Sequence, residues 1–345
     1  MLPVPPVGPP RRTLLLTGAL ALTAAAGGAA HATPSTPAAP RAEVLREEHS
    51  GRRIVDLTVS STALGRSAKV RLLTPHGWHA RRPVHRWPTL YLLPGGDGDH
   101  LPWTESYGIE RLAELRHVLV VMPEMPLFGF YTDWWQHGAG GPPAVESFHL
   151  SEVLPLVEKY YGAGPRRAVA GQSQGGFGAL SYTARHRGLF RAAASYSGYV
   201  HPHQHPRAVR AAMQYLGLDW LALWGHPERQ RHIWRAHDPA HLTRRLAGVP
   251  VHLSCGDGRL GPLDPPDTLP DEHIPGLEDP EDPFPADVLS PTEAIMRAEN
   301  EKLAPLLRVA GARVVTHFHS GTHDPPYWSR EFRVSLPMLV AALHT

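Results

Sequence analysis

Residues 168–184 read AVAGQSQGGFGALSYTA, and this stretch decides the fold. A short apolar run leads into a G-x-S-x-G pattern centred on Ser173, and apolar residues with helical spacing follow it. A serine in this context lies on a sharp turn between a strand and a helix, which exposes its hydroxyl at the carboxyl edge of the sheet. Glycines two residues before and after remove the Cβ atoms that would clash there. We predict that Ser173 is a nucleophile; the alternative is a glycine-rich turn of a doubly wound sheet with an incidental serine.

Strand and helix patterns alternate on both sides of this stretch. Apolar or β-branched runs predict strands over residues 52–62, 68–74, 89–93, 117–122, 168–170, 191–196, 249–254 and 314–318. Apolar periodicity predicts helices over residues 146–161, 177–186 and 293–309. The first two strands are joined through Gly65 and predict a hairpin. The alternation predicts an α/β fold with a mostly parallel central sheet covered by helices on both faces.

Two segments interrupt the alternation. Residues 201–235 contain three tryptophans and little strand character, which predicts a helical cap inserted after a strand. Residues 261–290 contain eight prolines and nine acidic residues but no lysine or arginine. Prolines at this density exclude a regular helix, and the acids lack the spacing of an EF-hand loop. We predict a solvated surface loop, called the acidic loop below.

Composition excludes several classes of protein. The chain has 345 residues, 34 lysines and arginines against 32 acidic residues, a net charge of +2 and one cysteine. A near-neutral chain offers no basic face for nucleic acid. A single cysteine excludes an intramolecular disulfide framework and a cysteine-rich zinc site. Cys255 itself ends a predicted buried strand, where we expect an unreactive thiol.

The amino-terminal residues predict export. Arg11 and Arg12 precede an apolar run over residues 14–26, and small residues follow up to Ala30-His31-Ala32. These are the parts of a secretory signal peptide, and the arginine pair also suits twin-arginine export. We predict a signal peptide over 1–32, a Pro-rich tether over 33–44 and one hydrolase domain over 45–345, in a secreted or extracytoplasmic protein. The alternative is an uncleaved membrane anchor.

A serine nucleophile needs a base, an orienting acid and donors for the oxyanion. The base follows the last strand in this fold, which favours His323 in the 320–324 loop over His317 and His319. Position alone leaves two acids open, Asp257 after the strand over 249–254 and Glu293 at the start of the next helix.

Two backbone amides complete this predicted site. Gln174 follows the nucleophile, and Gly96 lies in the loop after the strand over 89–93. Those are the two places from which this fold takes the N–H donors of its oxyanion hole. We therefore assign the oxyanion hole to the N–H groups of Gly96 and Gln174.

Several segments together resemble the esterase D branch of the α/β hydrolases, and within it the secreted mycolyltransferases of the antigen 85 type. The matching segments lie at residues 57–73, 91–103, 120–124, 130–135, 146–161, 168–180, 237–246, 251–258, 296–303 and 321–328, among them FYTDWW and GTHDPPYW. The resemblance implies an α/β-hydrolase fold and serine-dependent acyl transfer or ester hydrolysis. The family acid precedes a hydrophobic-Met/Val-Arg element by two residues, and that position is Glu293 here. The resemblance therefore favours Glu293 over Asp257.

The chain departs from the mycolyltransferase pattern at three positions. Pro94 and Asp97 stand where those enzymes use an Asp and an Arg for trehalose, and Pro325 stands where they have a Trp. The favoured hypothesis is therefore a secreted serine esterase or acyltransferase that acts on an ester or acyl-lipid small molecule. The alternatives are mycolyl-type transfer to a sugar and a non-catalytic envelope-binding protein, and association with the cell envelope fits each of them.

Other residues carry weaker predictions. Trp134 and Trp135 either line the substrate cleft or pack in the core. The alternating histidines of residues 201–205 could hold zinc or copper. Pro202 lies among them, Pro206 follows them, and no carboxylate or cysteine lies beside them, which favours an exposed entrance to the cap. We expect neither a metal nor an organic cofactor for the reaction.

Overall fold

A nine-stranded sheet forms the centre of the molecule. The computed structural model describes residues 42–79 and 86–345. The strands are β1 Val44–Ser50, β2 Ile54–Ser61, β3 Arg66–Leu73, β4 Trp87–Leu93, β5 Leu119–Pro123, β6 Ala163–Gln172, β7 Ala193–Tyr196, β8 Pro250–Cys255 and β9 Arg313–Phe318. Their order in the sheet is β1-β2-β3-β5-β4-β6-β7-β8-β9. Strands β1, β2, β3 and β5 pair antiparallel in series, and all other pairs are parallel.

Strand β4 lies where the strand order reverses. Its neighbours are β5 on one side and β6 on the other, both parallel to it. In open α/β sheets the crevice outside the carboxyl ends of the strands at such a reversal is where ligands bind. The loop after β4 and the turn after β6 therefore meet at this edge.

Helices cover both faces of the sheet. They are α1 Pro102–Glu105, α2 Val145–Ser147, α3 Leu154–Tyr161, α4 Gln174–Arg185, α5 Pro206–Tyr215, α6 Trp220–Trp224, α7 Arg231–His237, α8 Pro291–Val309 and α9 Pro325–His344, with a π-helix over Phe148–Val153. Alternate residues of β4 pack into different layers: Tyr91 and Leu93 join the cluster under α4 and α8, whereas Leu90 and Leu92 join the cluster that includes residues of α9. Burial on both faces explains why the central strands are continuously apolar.

The predicted fold class is confirmed, and the element boundaries differ in places. The hairpin of β2 and β3 forms as expected, with Gly65 in the left-handed region at φ 67°. The strand predicted over 168–170 extends over Ala163–Gln172, because its outer residues complete the ladder with β4 although their side chains are polar or small. The helix predicted over 146–161 contains a π-helical turn directly before Pro155, which has no amide proton to continue the α-helical ladder.

The two interrupting segments differ in structure. The cap residues form α5, α6 and α7, whereas no helix or strand is present within residues 261–290. None of the helices in the described ranges is both long and apolar enough to cross a membrane. The predicted signal peptide and almost all of the predicted tether lie outside the described residues, and Val44, the last tether residue, begins β1.

Candidate active site

Ser173 lies on the turn that joins β6 to α4. Its backbone has φ 53° and ψ −124°, a conformation that side chains rarely adopt. The turn is tight: a Cβ atom on Gly171 would lie 2.2 Å from the carbonyl of Gly175, and one on Gly175 would lie 2.2 Å from the carbonyl oxygen of Leu93. Only glycine fits at these two positions, and the turn is thereby held against the end of β4.

The loop after β4 lies beside the nucleophile because Leu93 pairs with Gly171 in the sheet. A Cβ atom on Gly95 would lie 3.6 Å from the Cβ of Ser173. Within residues 42–79 and 86–345, the backbone N–H groups of Gly96 and Gln174 donate no hydrogen bond to another protein group. The ring of Phe128 lies over Gly96. The backbone N–H of Phe128 donates a hydrogen bond to the carbonyl oxygen of Gly96 at 2.7 Å. Two free amide donors and an aromatic wall thus adjoin the serine.

His323 connects the serine to a buried carboxylate. Its Nε2 lies 3.0 Å from the Oγ of Ser173, and its Nδ1 lies 2.5 Å from the Oε2 of Glu293. The ring of Trp328 packs edge-on against the imidazole at 4.8 Å between centroids. The two hydrogen bonds leave Nε2 facing the hydroxyl, which is the arrangement a proton acceptor for Ser173 needs.

Glu293 is fully buried at the amino-terminal turn of α8. Its Oε1 accepts hydrogen bonds from the Ser197 hydroxyl at 2.7 Å and the Gly256 N–H at 2.5 Å, and the Cys255 thiol lies 3.2 Å away. Burial alone would raise the pKa of Glu293, but the hydrogen bonds from His323, Ser197 and Gly256 outweigh it and lower that pKa. The carboxylate is therefore ionised and can stabilise a positive charge on His323.

Asp257, the competing acid, has a different role. Its carboxylate accepts hydrogen bonds from the Ser320 hydroxyl at 3.0 Å, the Gly321 N–H at 3.3 Å and the Arg259 N–H at 3.1 Å. These bonds hold the start of the loop that carries His323. The structure thus brings Glu293, and not Asp257, into contact with the imidazole.

Sequence reasoning missed two residues that support this arrangement, Ser197 and Asp264. Ser197 donates to Glu293 and accepts from the indole N–H of Trp328 at 3.1 Å. Asp264 of the acidic loop accepts from the Thr322 hydroxyl at 2.6 Å and the Tyr327 hydroxyl at 2.9 Å. Ser197 directly follows β7 and could have been found from that position, because the carboxyl ends of parallel strands share one edge. Nothing local marked Asp264.

The other predicted residues have these positions. Trp134 is buried and its indole N–H donates to the Gly129 carbonyl at 3.2 Å, whereas Trp135 is half-buried and packs against His137. Substrate contact by either tryptophan stays a prediction. The Cys255 thiol is buried, and burial raises its pKa, as expected for an unreactive cysteine.

The histidines at the cap entrance are half-buried, not exposed. Each has a ring nitrogen within hydrogen-bond distance of another side chain, namely His201 with Asp238, His203 with His241 and His205 with Glu299.

Comparisons with known proteins show which family the chain is related to. The Esterase family model matches residues 61–339. Esterase Rv1288 of Mycobacterium tuberculosis is 34% identical over 170 residues, which cover 44% of this chain and only 36% of that protein. The diacylglycerol acyltransferase/mycolyltransferase Ag85B of Mycolicibacterium smegmatis is 28% identical over 301 residues, covering 83% and 84% of the two chains.

A solved structure agrees with the topology. The fluorophosphonate-binding serine hydrolase F of Staphylococcus aureus superposes with a TM-score of 0.61 at 16% identity, over 83% of this chain and 98% of that one. At this identity the likeness concerns the fold alone. Together with the family match over most of the chain, it leads to one conclusion: the chain belongs to the Esterase family and has the α/β-hydrolase fold.

Proposed function

We propose that this protein is a serine esterase or acyltransferase that acts on carboxylic esters through an acyl-serine intermediate. The observation that carries the proposal is the continuous chain of hydrogen bonds from Ser173 Oγ through His323 to Glu293, at 3.0 and 2.5 Å. A serine hydroxyl is a weak nucleophile until an adjacent base takes its proton, and in this series of hydrogen bonds the base is His323.

The reaction has two halves. His323 Nε2 takes the proton of Ser173 while Oγ attacks the ester carbonyl, and the same proton goes to the leaving alcohol when the carbon–oxygen bond breaks. In the second half His323 deprotonates water or an acceptor alcohol, which attacks the acyl-serine and releases the serine. Glu293 holds the imidazole in the required tautomer and stabilises its cation throughout.

The tetrahedral intermediate of each half carries a negative oxygen. The N–H groups of Gly96 and Gln174 donate no hydrogen bond to another protein group within the described residues, which supports them as donors to that oxygen. Loss of one such donor lowers the rate by about 10²–10³ in well-studied enzymes. Phe128, which lies over Gly96, provides an apolar contact for the acyl group or the ester oxygen's substituent.

Labelling with a fluorophosphonate tests the nucleophile. The wild-type protein should react at one serine, and Ser173→Ala should lose both labelling and ester turnover, while its unfolding transition stays close to wild type because the mutation removes only one hydroxyl. Ser181→Ala is a matched control on α4 and should label normally. Labelling that persists in Ser173→Ala overturns the assignment, and a wild-type protein that does not react favours the non-catalytic envelope-binding alternative.

The acceptor is the second question. The resemblance to an acyltransferase supports transfer to an alcohol, whereas Pro94 and Asp97 do not support trehalose as that alcohol. p-Nitrophenyl esters of graded chain length, assayed with and without glycerol or trehalose, distinguish the cases. Hydrolysis alone gives free acid in every assay; transfer gives an acyl-glycerol or acyl-trehalose product and faster release of p-nitrophenol.

We also propose that the protein is exported. The arginine pair, the apolar run and the Ala30-His31-Ala32 site support cleavage after Ala32. Amino-terminal sequencing of material secreted by the native host should then begin at or near Thr33. A secreted or membrane-bound protein that retains residues 14–26 would instead indicate an anchor.

A further inference from the structure

A second cluster of histidines and carboxylates lies at the base of the cap, apart from Ser173, His323 and Glu293. His201 follows β7, whereas Asp238 and His241 follow α7. The chain therefore leaves the sheet and returns to it through this cluster, after passing through the whole cap. The carboxylate that the sequence lacks beside the histidines of residues 201–205 is supplied by Asp238.

The donor atoms of this cluster converge. One ligand atom each from His201, Asp238 and His241 lie within 4.8 Å of one another. The closest pair, His201 Nδ1 and Asp238 Oδ2, are 2.8 Å apart. Zinc binds nitrogen and oxygen donors at about 2.0–2.2 Å, so that donors on one tetrahedral ion lie roughly 3.3–3.6 Å apart. Small side-chain shifts bring these three atoms to that spacing.

The carboxylate is oriented by its surroundings before any ion binds. Asp238 is fully buried. Its Oδ1 accepts a hydrogen bond from the backbone N–H of Ala240 at 2.8 Å, and its Oδ2 accepts one from the backbone N–H of His203 at 3.0 Å. The backbone N–H of His201 donates a hydrogen bond to the carboxylate of Glu299 at 2.8 Å. Such outer hydrogen bonds fix the ligands of metal sites and contribute strongly to affinity.

An entry path is also present. His203 Nδ1 lies within hydrogen-bond distance of His241 Nε2, at 3.1 Å, and helps to orient that imidazole. His241 is exposed, so an ion can reach the cluster from solvent and retain a water molecule. Neutral imidazoles with one carboxylate are donors that suit zinc among the divalent metals.

We propose that His201, Asp238 and His241 bind one zinc ion, and that the ion fastens the two ends of the cap to each other. The site is separate from catalysis: its ligands make no contact with Ser173, His323 or Glu293 among the interactions of the described residues. Zinc is therefore expected to stabilise the cap and not to take part in the reaction.

Isothermal titration of the chelator-treated full-length protein with zinc tests the proposal. We expect one equivalent to bind saturably, and His201→Gln and His241→Gln each to weaken that binding at least ten-fold. His232→Gln is the matched control, because His232 is an exposed histidine of α7 outside the cluster. It should bind zinc as the wild type does. A wild type without a one-equivalent phase, or an affinity that both cluster variants leave unchanged, overturns the proposal.

A stability measurement provides the second readout. One equivalent of zinc should raise the thermal midpoint of the wild type and of His232→Gln, but not that of His241→Gln. If His201→Gln does not fold, His241→Gln alone carries the test, because His241 is exposed and its variant should retain the circular dichroism of the wild type. Equal zinc-induced shifts in all folded variants would mean that the cluster is a hydrogen-bond network and that zinc binds elsewhere.

Discussion

The turn that carries Ser173 and the loop that carries His323 are positioned by different kinds of force. The serine turn is fixed by the contact of backbone with backbone, with glycines where any Cβ would lie 2.2 Å from the carbonyl of Gly175 or the carbonyl oxygen of Leu93. The histidine loop over residues 320–324 is fixed by side-chain hydrogen bonds from remote segments, chiefly those of Asp257 and Asp264. The serine turn is thus held chiefly by steric contact. The histidine loop adds polar contacts to a steric one, because a Cβ atom on Gly321 would lie 2.3 Å from the ring of Tyr327. These are the steric half and the polar half of the site.

This difference has a consequence for how each half tolerates substitution. Overpacking a rigid turn destabilises the whole domain, because no neighbour can move away cheaply. Removing one of several hydrogen bonds to a loop lowers the stability of the loop's conformation by about 0.5–1.5 kcal/mol and leaves the fold in place. The serine half should therefore fail by misfolding, and the histidine half by misplacing the base.

The largest effect is expected within the polar half, at the acid itself. Glu293→Gln should lower kcat by up to about 10⁴-fold while KM changes little, because the amide no longer holds the catalytic tautomer of His323. Asp257→Asn should lower kcat by only about ten-fold, since it loosens a loop without changing that tautomer. Steady-state kinetics at matched circular dichroism make the comparison. A normal Glu293→Gln beside a crippled Asp257→Asn would reverse the assignment.

The next effect tests the steric half. Gly175→Ala should destabilise the domain by about 3 kcal/mol and lower turnover, because the new Cβ meets the Leu93 carbonyl oxygen. Gly95→Ala is the neighbouring control, as its nearest contacts would be at 3.6 Å, and it should shift stability by less than about 1 kcal/mol. Urea unfolding midpoints measure both. Equal midpoints for the two variants would contradict the steric account.

A smaller effect is expected where the acidic loop meets the histidine loop. Asp264→Asn replaces one acceptor oxygen by a donor and should lower kcat about ten-fold with little change in KM, because Thr322 and Tyr327 lose part of their anchor. Asp267→Asn changes an exposed acid of the same loop and should behave as wild type. If both variants keep full kcat, the acidic loop does not position His323.

The smallest effect on activity, but a clear pH dependence of stability, is expected at Glu331 on α9. This buried carboxylate accepts hydrogen bonds from His317 at 2.8 Å, His252 at 3.3 Å and Arg330 at 2.7 Å. Burial raises its pKa, and the three partners lower it more, to about 2. Because the pKa falls on folding from about 4.3, the carboxylate stabilises the fold above that pH, and the contribution is lost as pH falls towards 2.

Glu331→Gln isolates that contribution. The variant should be less stable than the wild type by about 2 kcal/mol at pH 7, and the difference should shrink between pH 5 and pH 3. Thermal unfolding across this window measures it. A difference that stays constant with pH would exclude Glu331 as its origin.

The elements that local sequence predicted best are those with strong local causes. The β6–Ser173–α4 unit followed from glycine sterics and apolar periodicity, and His323 followed from its place after the last strand. Other elements were missed or predicted too short. Strand β1 and the long helix α9 were not predicted, and β6 extends beyond its apolar part. In each case pairing or packing against distant residues, and not local preference, decides the structure.

The sequence by itself determined the fold class, because that depends on residue type and on short-range spacing. The same features carry the predictions of Ser173 as nucleophile and His323 as base. Local spacing left Asp257 and Glu293 open, and the family resemblance favoured Glu293. Only the tertiary structure shows the contact of Glu293 with His323, the position of Ser197 beside Glu293, and Asp238 next to His201 and His241. Those contacts join residues that lie 30 to 96 positions apart in the chain. The spacing of residues along a chain does not tell which remote residues meet in space, whereas the order of strands in the sheet does.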